Sequence, residues 1–436
     1  MTIDNKNIEP CNNYTFEWPG NHNVYFLINT TNFTSISRLF ERITKLTSIY
    51  FTKLFDTKNI IDMSYLFSDC SSLASFNFFN TQNVKYMNYS FHNCKSLKSI
   101  DLHNFNTTNV ISMAYFLYGA SSLTSIDLSY LNTQNLVDMS YMLSQCSGLI
   151  NINISNLNNP NLINIERLFN GCINLVSIDF TNFNTHNIKK MNWLFSNCIS
   201  LTSIDLLKFE TINVIDMSYM FYNCISLNNI NLSNFDTNNV NSVTEMFGGC
   251  SSLTNIDISN FNGQNITSTS FMFEGCSKLK KIKFSDNLVT KNAKTMYKMF
   301  GGCYSLTSVD LTHFDTTNVM TMAYFFYNCS NLQNVDILNF DTPNLIDMEY
   351  MFYGCANLEY IDISNFNTQN VSTIHALFFN CFKLEYIDIS SFIIDKYLPV
   401  ILDKNLPSHG IIIINKTFYE KIENQIPDTW NVTFIE

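Results

Sequence analysis

The sequence predicts an α/β solenoid, in which one short unit repeats along an axis, and two observations carry this prediction. The first is that cysteine recurs at a nearly fixed step. After Cys11 the cysteines stand at positions 70, 94, 146, 172, 198, 224, 250, 276, 303, 329, 355 and 381, and Ala120 fills the gap, so the step is 24 once, 27 once and otherwise 26. The second is that the apolar positions between the cysteines repeat with them. Such periods indicate stacked repeats rather than separate globular domains.

The unit from Cys198 to Asn223 shows how each repeat is expected to fold. Leu201, Ile204 and Leu206 form the L-x-x-L-x-L pattern of a leucine-rich repeat, whose strand lines a horseshoe. From Val214 to Phe221 the apolar residues have helical spacing. We therefore predict a leucine-rich-repeat horseshoe of about 14 repeats, with short strands on the concave face and short helices on the convex face.

Two further columns of the repeat have a physical interpretation. Phenylalanine follows the strand and is expected to form an aromatic spine, with Leu131 and Leu157 as smaller substitutes; its members are Phe105, Phe183, Phe209, Phe235, Phe261, Phe314, Phe340, Phe366 and Phe392. An asparagine four residues later can either cap a helical turn or bond the backbone of the adjacent coil. Gly or Asn usually precedes the cysteine, as at Gly249, Gly302, Asn223 and Asn328, and is expected to end the helix in the left-handed region.

The two ends of the chain lack the repeat and are expected to cap the solenoid, because its terminal apolar faces need cover. The predicted divisions are an N-terminal cap at 1–42, the solenoid at 43–394 and a C-terminal cap at 395–436. Within the caps, 24–28 is expected to be a strand. Residues 411–414, 417–425 and 430–435 are expected to form a strand, a short helix and a closing strand.

Composition and motifs argue against catalysis. Lysine and arginine number 25 against 36 aspartate and glutamate, a net charge of −11, whereas nucleic-acid binding needs a basic surface. The seven histidines show no metal-binding spacing, and phosphate-loop, dinucleotide and hydrolase motifs are absent. No run reaches the roughly 18 apolar residues of a membrane span. We expect no enzyme, no cofactor, no metal site, no nucleic-acid partner and no membrane span.

The cysteine column is expected to be a ladder of buried, reduced thiols. Stacked neighbours would lie about 4.8 Å apart, within the range that a disulfide tolerates. Equivalent side chains of successive coils point the same way, however, and Ala120 leaves its neighbours without a partner in that coil. Free cysteine is among the most buried of residues.

An acidic row is the first candidate binding surface, on the predicted concave face. Outward aspartates fall between the last two core positions of the strand: Asp101, Asp127, Asp179, Asp205, Asp257, Asp310, Asp336, Asp362 and Asp388. Like charges about 5 Å apart repel. The row is therefore a solvated, hydrogen-bonded feature of the repeat, a ligand-binding groove, or a row that binds divalent cations.

An aromatic strip is the second candidate surface, on the predicted convex face. Two residues after the first methionine, a position that should be polar holds Tyr65, Tyr89, Tyr115, Tyr141, Trp193, Tyr219, Phe271, Tyr324 and Tyr350. An exposed apolar strip marks an interaction surface, and tyrosine suits one because its ring is half apolar and half polar. The alternative is that the rings pack flat against neighbouring coils and are mostly covered.

The repeat resembles that of the BspA-like leucine-rich-repeat surface proteins of bacteria. The resemblance lies in FDTTNVMTMAYFFYNCSNLQNVDI (Phe314 to Ile337) and FETINVIDMSYMFYNCISLNNINL (Phe209 to Leu232), and it extends over about 43–392. It implies a surface-exposed role in binding or adhesion. The chain shows no signal peptide or lipid-attachment motif, which leaves a cytoplasmic location open.

The function predicted from these observations is a non-enzymatic scaffold for binding or adhesion, which recognises a protein or glycan partner through a repeat surface. The alternative is a structural component that self-assembles through the aromatic strip or the chain ends. A calcium-loaded scaffold is a third interpretation.

Overall fold

Backbone hydrogen bonds between successive repeats define the architecture. The computed structural model describes residues 2–3, 6–7, 24–25, 32–51, 55–77, 80–103, 105–155, 157, 159–285, 290–393 and 400–435. Within these residues the chain is a leucine-rich-repeat solenoid in which each repeat forms one coil. We call the side of the coils that carries the strands the strand face. The opposite side, formed by the ten residues that end at each cysteine, is the turn face.

A small antiparallel sheet precedes the solenoid in the chain. It consists of β1 (Thr2–Ile3), β2 (Lys6–Asn7) and β3 (Val24–Tyr25), in the order β2-β1-β3. The strand predicted at 24–28 is confirmed at Val24–Tyr25, and the rest of it lies outside the described residues, as does Cys11.

The strand face is a series of short parallel strands in register. Ile126, Ile152 and Ile178 pair in sequence, because one inward residue per strand fills the same column while its neighbours face outward. The strands are β4 Ser48–Ile49, β5 Ser75–Phe76, β6 Ser125–Asp127, β7 Asn151–Asn153, β8 Ser177–Asp179, β9 Ser203–Ile204, β10 Asn229–Ile230, β11 Asn255–Asp257, β12 Lys281–Lys283, β13 Tyr360–Asp362, β14 Tyr386–Ile389, β15 Ile411–Asn415 and β16 Asn431–Ile435.

The elements predicted at the C-terminal end are confirmed. Strands β15 and β16 lie where they were predicted, and α1 (Lys416–Ile422) with a following 3-10 turn (Glu423–Gln425) takes the place of the predicted helix. Both strands continue the parallel ladder from β14. No helix in the described part of the chain is long and apolar enough to cross a bilayer. The domain boundaries remain predictions.

The turn face is a second hydrogen-bonded ladder and not a row of helices. In one coil the N–H groups of Met220, Tyr222 and Cys224 donate to the carbonyls three residues earlier, at 3.3, 3.1 and 3.0 Å. The alternate N–H groups, those of Tyr219 and Phe221, donate to carbonyls of the next coil at 2.8 and 2.9 Å. Thirteen isolated parallel bridges, from Ser35 to Thr373, join fourteen coils in the same way.

The predicted convex helices are therefore wrong for the described residues. Tyr219 and Asn223 have φ of 59° and 55°, values that a right-handed helix excludes. Each of these residues is the third residue of a four-residue turn, a position at which a positive φ is a normal turn conformation. Gly249 and Gly302, predicted as helix C-caps, do adopt positive φ, 73° and 74°, but as parts of these turns.

The rise per coil is the same on the strand face and on the turn face, because on each face backbone hydrogen bonds join neighbouring coils. A horseshoe curves because strands lie about 4.8 Å apart while packed helices need 8–10 Å. That difference in spacing is absent from the described coils, so the terms concave and convex are replaced below by strand face and turn face.

The core is filled by stacked columns. The predicted phenylalanine column is buried throughout its members from Phe105 to Phe392. The longest continuous ring stack is a different column, three residues before each cysteine, which runs from Phe169 to Phe378 with centroid separations of 5.3–5.9 Å. Aromatic pairs at such distances add stability beyond the area they bury.

Side-chain hydrogen bonds join each coil to both neighbours. Asn213 Nδ2 donates to the carbonyl of His186 in the preceding coil at 2.8 Å, and Asn239 donates likewise to Ile212 at 2.7 Å. The buried Thr211 hydroxyl donates to Asp236 in the following coil at 2.8 Å. The asparagine column therefore bonds the adjacent backbone, as one of the two sequence alternatives proposed.

One coil carries a packing defect. Thr269 stands where Met217 and Met322 stand in other coils, and a cavity of about 20 Å³ lies beside it, lined also by Val243. The Thr269 hydroxyl is buried and has no hydrogen-bond partner among the described residues. A buried polar group without a partner is destabilising.

We predict that Thr269→Val raises the free energy of unfolding by about 1 kcal/mol, because it removes an unsatisfied hydroxyl without changing side-chain shape. Thr237→Val is the matched control and should lower it by a similar amount. The buried Thr237 hydroxyl donates to the Asn262 carbonyl and accepts from its N–H, at 2.9 and 2.7 Å. Urea unfolding of both variants measures the difference, and a loss of stability in Thr269→Val would contradict the prediction.

Candidate binding surfaces

The aspartates of the acidic row lie along the strand face. Asp101, Asp179, Asp205, Asp257, Asp310 and Asp336 are exposed, Asp127 and Asp362 are half-buried, and Asp388 at the C-terminal end is buried. The exposed members are the ones that a partner could reach.

Each aspartate of the row also has a backbone role. Its Oδ1 accepts the N–H of the residue two positions later, at 2.9–3.2 Å, and so stabilises the turn that follows the strand. This is the Asx-turn. Asn153 and Asn231 accept the same bond at 3.2 and 3.0 Å. The turn therefore needs the side-chain oxygen and does not need the negative charge.

Hydrogen bonds lower the pKa of three exposed carboxylates of the row. The backbone N–H of His103 and then its ring lower the pKa of Asp101. The Thr181 and Thr312 hydroxyls, followed by their N–H groups, lower the pKa of Asp179 and Asp310. At these three aspartates the bonds offset the repulsion expected between neighbouring carboxylates, so the three side chains stay ionised at neutral pH.

Two parts of the strand face were missed by the sequence analysis. The coil of Cys276 places Lys278, Lys280, Lys281 and Lys283 on the surface, all exposed. The string SKLKKIKF was the available signal. The second part, in the coils of Cys355 and Cys381, is a pair of stacked rings, Tyr360 and Tyr386, whose centroids lie 4.4 Å apart.

The aromatic strip forms stacks along the turn face. Centroids of Tyr65, Tyr89, Tyr115 and Tyr141 follow one another at 4.5, 4.4 and 4.2 Å. The other predicted members form the pairs Trp193–Tyr219 at 3.8 Å and Tyr324–Tyr350 at 4.8 Å, and Phe271 contacts Tyr297 at 5.0 Å. All nine predicted members have positive φ and are half-buried. The rings therefore cover one another's faces and expose mainly their edges.

Arginine occupies two further positions of the strip and extends its stacks. Arg167 lies between Tyr141 and Trp193, with its guanidinium carbon 5.3 and 4.3 Å from the two ring centroids. Arg38 lies 4.0 Å above Tyr65 at the N-terminal end. Cation–π contacts of this kind contribute about 0.5–1 kcal/mol at exposed sites.

The cysteine column is buried and unbridged in the described coils. Each thiol donates to a carbonyl of the preceding coil; Cys198 Sγ lies 3.2 Å from the Phe169 oxygen and Cys224 Sγ 3.1 Å from the Phe195 oxygen. Burial raises the pKa of Cys146 to about 12, so the thiol is neither a nucleophile nor a metal ligand at neutral pH. Among the described residues, no three His, Cys, Asp or Glu side chains lie close enough to hold a metal ion.

The fold and its columns define a leucine-rich-type repeat scaffold. The sequence matches the family described as "Mycoplasma protein of unknown function, DUF285" over residues 34–149, 74–183, 122–224, 200–309 and 294–397. The chain belongs to this family. A comparison with curated proteins finds no match.

Three solved structures illustrate the likeness of fold. A leucine-rich repeat protein from Eubacterium ventriosum is 17% identical, with 86% of this chain and 85% of that chain covered and a TM-score of 0.38. A leucine rich cell surface protein from Faecalibacterium prausnitzii is 18% identical, with 70% and 82% covered and a TM-score of 0.30. For the TLR13–ssRNA13 complex the identity is 14% and the TM-score 0.29; 89% of this chain but only 62% of that chain is covered.

The stacked tyrosines make stability fall at high pH. Burial, with a contribution from neighbouring tyrosines, raises the pKa of Tyr89, Tyr115 and Tyr324 from 10.0 to about 12. Between these values the unfolded chain releases its phenolic protons before the folded chain does, so the free energy of unfolding should decrease from about pH 10 to about pH 12. Absorbance of tyrosinate and circular dichroism, recorded together, should show these phenols ionising as the chain unfolds.

The variant Tyr89→Phe with Tyr115→Phe is the control, because Phe271 already shows that phenylalanine fits this column. Its stability should fall less between pH 10 and 12 than that of the wild type. Complete ionisation of the tyrosines in a chain that remains folded would contradict the proposed burial.

Proposed function

We propose that the chain is a non-enzymatic scaffold that binds a protein or glycan partner through the exposed carboxylates of the strand face, as a BspA-like protein at the cell surface. The observation that carries this proposal is that asparagine performs the turn-forming role of the aspartate at Asn153 and Asn231. The same column nevertheless holds aspartate at nine other positions, and the turn does not need the negative charge of these side chains.

The chemistry of the strand face favours recognition over catalysis. Beside the carboxylates it exposes hydroxyl and amide groups in regular columns, for example Ser203, Asn229 and Asn255. Donors and acceptors at a fixed spacing suit an extended partner, such as a peptide with cationic groups or a glycan. Ionised carboxylates also steer cationic partners from a distance, in a way that salt weakens.

The turn face is a less suitable surface for a partner. Its rings already contact one another at 3.8–4.8 Å in the stacks described above, and the strip is half-buried. We assign the strip to holding the coils together, and we propose the strand face as the place where partners bind.

The test compares two triple variants with the same change of charge. Asp101→Asn, Asp179→Asn and Asp205→Asn neutralise exposed carboxylates on the strand face. Asp62→Asn, Asp138→Asn and Asp216→Asn neutralise carboxylates on the turn face, where each also accepts an N–H two residues later. Both variants should keep the wild-type melting temperature, since asparagine preserves the bond.

Binding is measured with the labelled chain on glycan and protein arrays at low and high salt. The strand-face variant should lose about tenfold in affinity at low salt, which corresponds to three exposed ion pairs of about 0.5 kcal/mol each. The turn-face variant should bind as the wild type does. Equal binding by all three proteins, or no binding by any of them, would overturn the proposal.

A further inference from the structure

The four lysines of the Cys276 coil form a basic band across an otherwise acidic face. Lys283 pairs with Asp257 of the preceding coil, with Nζ 3.2 Å from the carboxylate oxygen. The other three, Lys278, Lys280 and Lys281, form no ion pair with a described residue. We call this coil the lysine coil.

A complementary pair of coils lies further along the same face. In the coils of Cys355 and Cys381, the same columns hold glutamate, tyrosine and aspartate in that order: Glu359, Tyr360, Asp362 and Glu385, Tyr386, Asp388. Asp388 is buried, and the other five side chains are exposed or half-buried. The two rings are stacked, and their coils pair in register as β13 and β14. We call these the acidic-aromatic coils.

The two sets match column by column. Counted from the cysteine of each coil, Lys280 occupies the column of Glu359 and Glu385. Lys281 occupies the column of the two tyrosines, and Lys283 that of Asp362 and Asp388. Ammonium groups pair with carboxylates and bind aromatic rings, so Lys280, Lys281 and Lys283 each have a partner of suitable chemistry in their own column.

We propose that the C-terminal part of the strand face binds a second copy of the chain. A two-fold axis parallel to the strands, placed between two facing strand faces, reverses the order of the coils but keeps each column opposite itself. With the axis between the coils of Cys303 and Cys329, each lysine coil meets the Cys355 coil of the other copy and lies beside its Cys381 coil. The same contact is made twice, as a two-fold interface requires.

The geometry of the face allows this approach. The strand and turn faces have one rise per coil, so the strand face has no spacing difference to curve it. In the central coils the columns of Lys280 and Lys281 hold uncharged residues: Thr307, Ser308, Gln333 and Asn334. The coils from Cys276 to Cys381 number five and span about 24 Å at roughly 4.8 Å per coil.

Like charges at the centre limit the affinity. Asp310 and Asp336 lie opposite the aspartates of the second copy, and Lys278 lies opposite Asn357 and Lys383 in its column. The dimer is therefore weak and depends on salt. The dimer proposal rests on the proposed function, because it uses the strand face as a binding surface. For the coils from Cys276 to Cys381, the proposed partner is a second copy of the chain.

Charge reversal in two separate variants tests the pairing. Lys280→Glu with Lys283→Glu makes the lysine coil acidic, and Glu359→Lys with Glu385→Lys makes the acidic-aromatic coils basic. In either variant alone both contacts of the dimer are repulsive. In an equal mixture of the two, a mixed dimer has one wild-type contact and one reversed contact, and both are attractive.

Sedimentation velocity against concentration is the measurement, at low and high salt. The wild type should form a dimer at low salt that dissociates at high salt, each variant alone should remain monomeric, and the mixture should recover the dimer. Lys189→Glu with Lys190→Glu, two exposed lysines of the turn face, should dimerise as the wild type does. Melting temperatures confirm that every variant is folded.

A wild type that stays monomeric at all concentrations would overturn the proposal, as would variants that dimerise alone or a mixture that does not. The proposed function is tested at other coils, by the variants at Asp101, Asp179 and Asp205. If the wild type is a monomer but the strand-face variant still loses array binding, the dimer proposal is overturned and the proposed function is not.

Discussion

Backbone hydrogen bonding from coil to coil, on two opposite faces, is the constraint on which the rest of the structure depends. The strand face uses parallel β pairing, as between Ile152 and Ile178, and the turn face uses alternate N–H groups, such as that of Tyr219. Both ladders impose the same rise. Equivalent residues of successive coils are therefore held at contact distance, and a residue that packs well on its own copy is favoured at every repeat.

The chemistry of the columns follows from this stacking. A phenylalanine inside the coil contacts the next one, a thiol reaches the preceding coil's carbonyl, and an asparagine amide bonds the preceding coil. These groups already have their contacts and hydrogen-bond partners within the fold. The outward residues of the strands are different, since asparagine at 153 and 231 shows that the fold is satisfied without the charge. The strand face is thus the part of the repeat that can change its chemistry without unfolding the coil.

The sequence was sufficient to predict the repeat period, the inward columns and the unbridged cysteines. The reason is that the same apolar residue types recur at the buried positions of successive coils. The helices could not be excluded. Apolar residues at Met217, Met220 and Phe221 fit a helix and a chain of turns equally well, and nothing in the sequence marks Tyr219 as a residue of positive φ. Of the candidate surfaces, the aspartate row could be placed, but its turn-forming bonds and the pairing of the lysine coil with distant coils needed the three-dimensional register.

The most direct test of this account is the amide I infrared spectrum of the intact chain, which separates helix from parallel strands and turns. The described residues contain one α-helix of 7 residues, Lys416–Ile422. The account predicts a spectrum dominated by sheet and turn components, with a helical component no larger than that single helix supplies. A strong helical component, of the size that a helix in every coil would give, would contradict the turn-face ladder and the shared rise of the two faces.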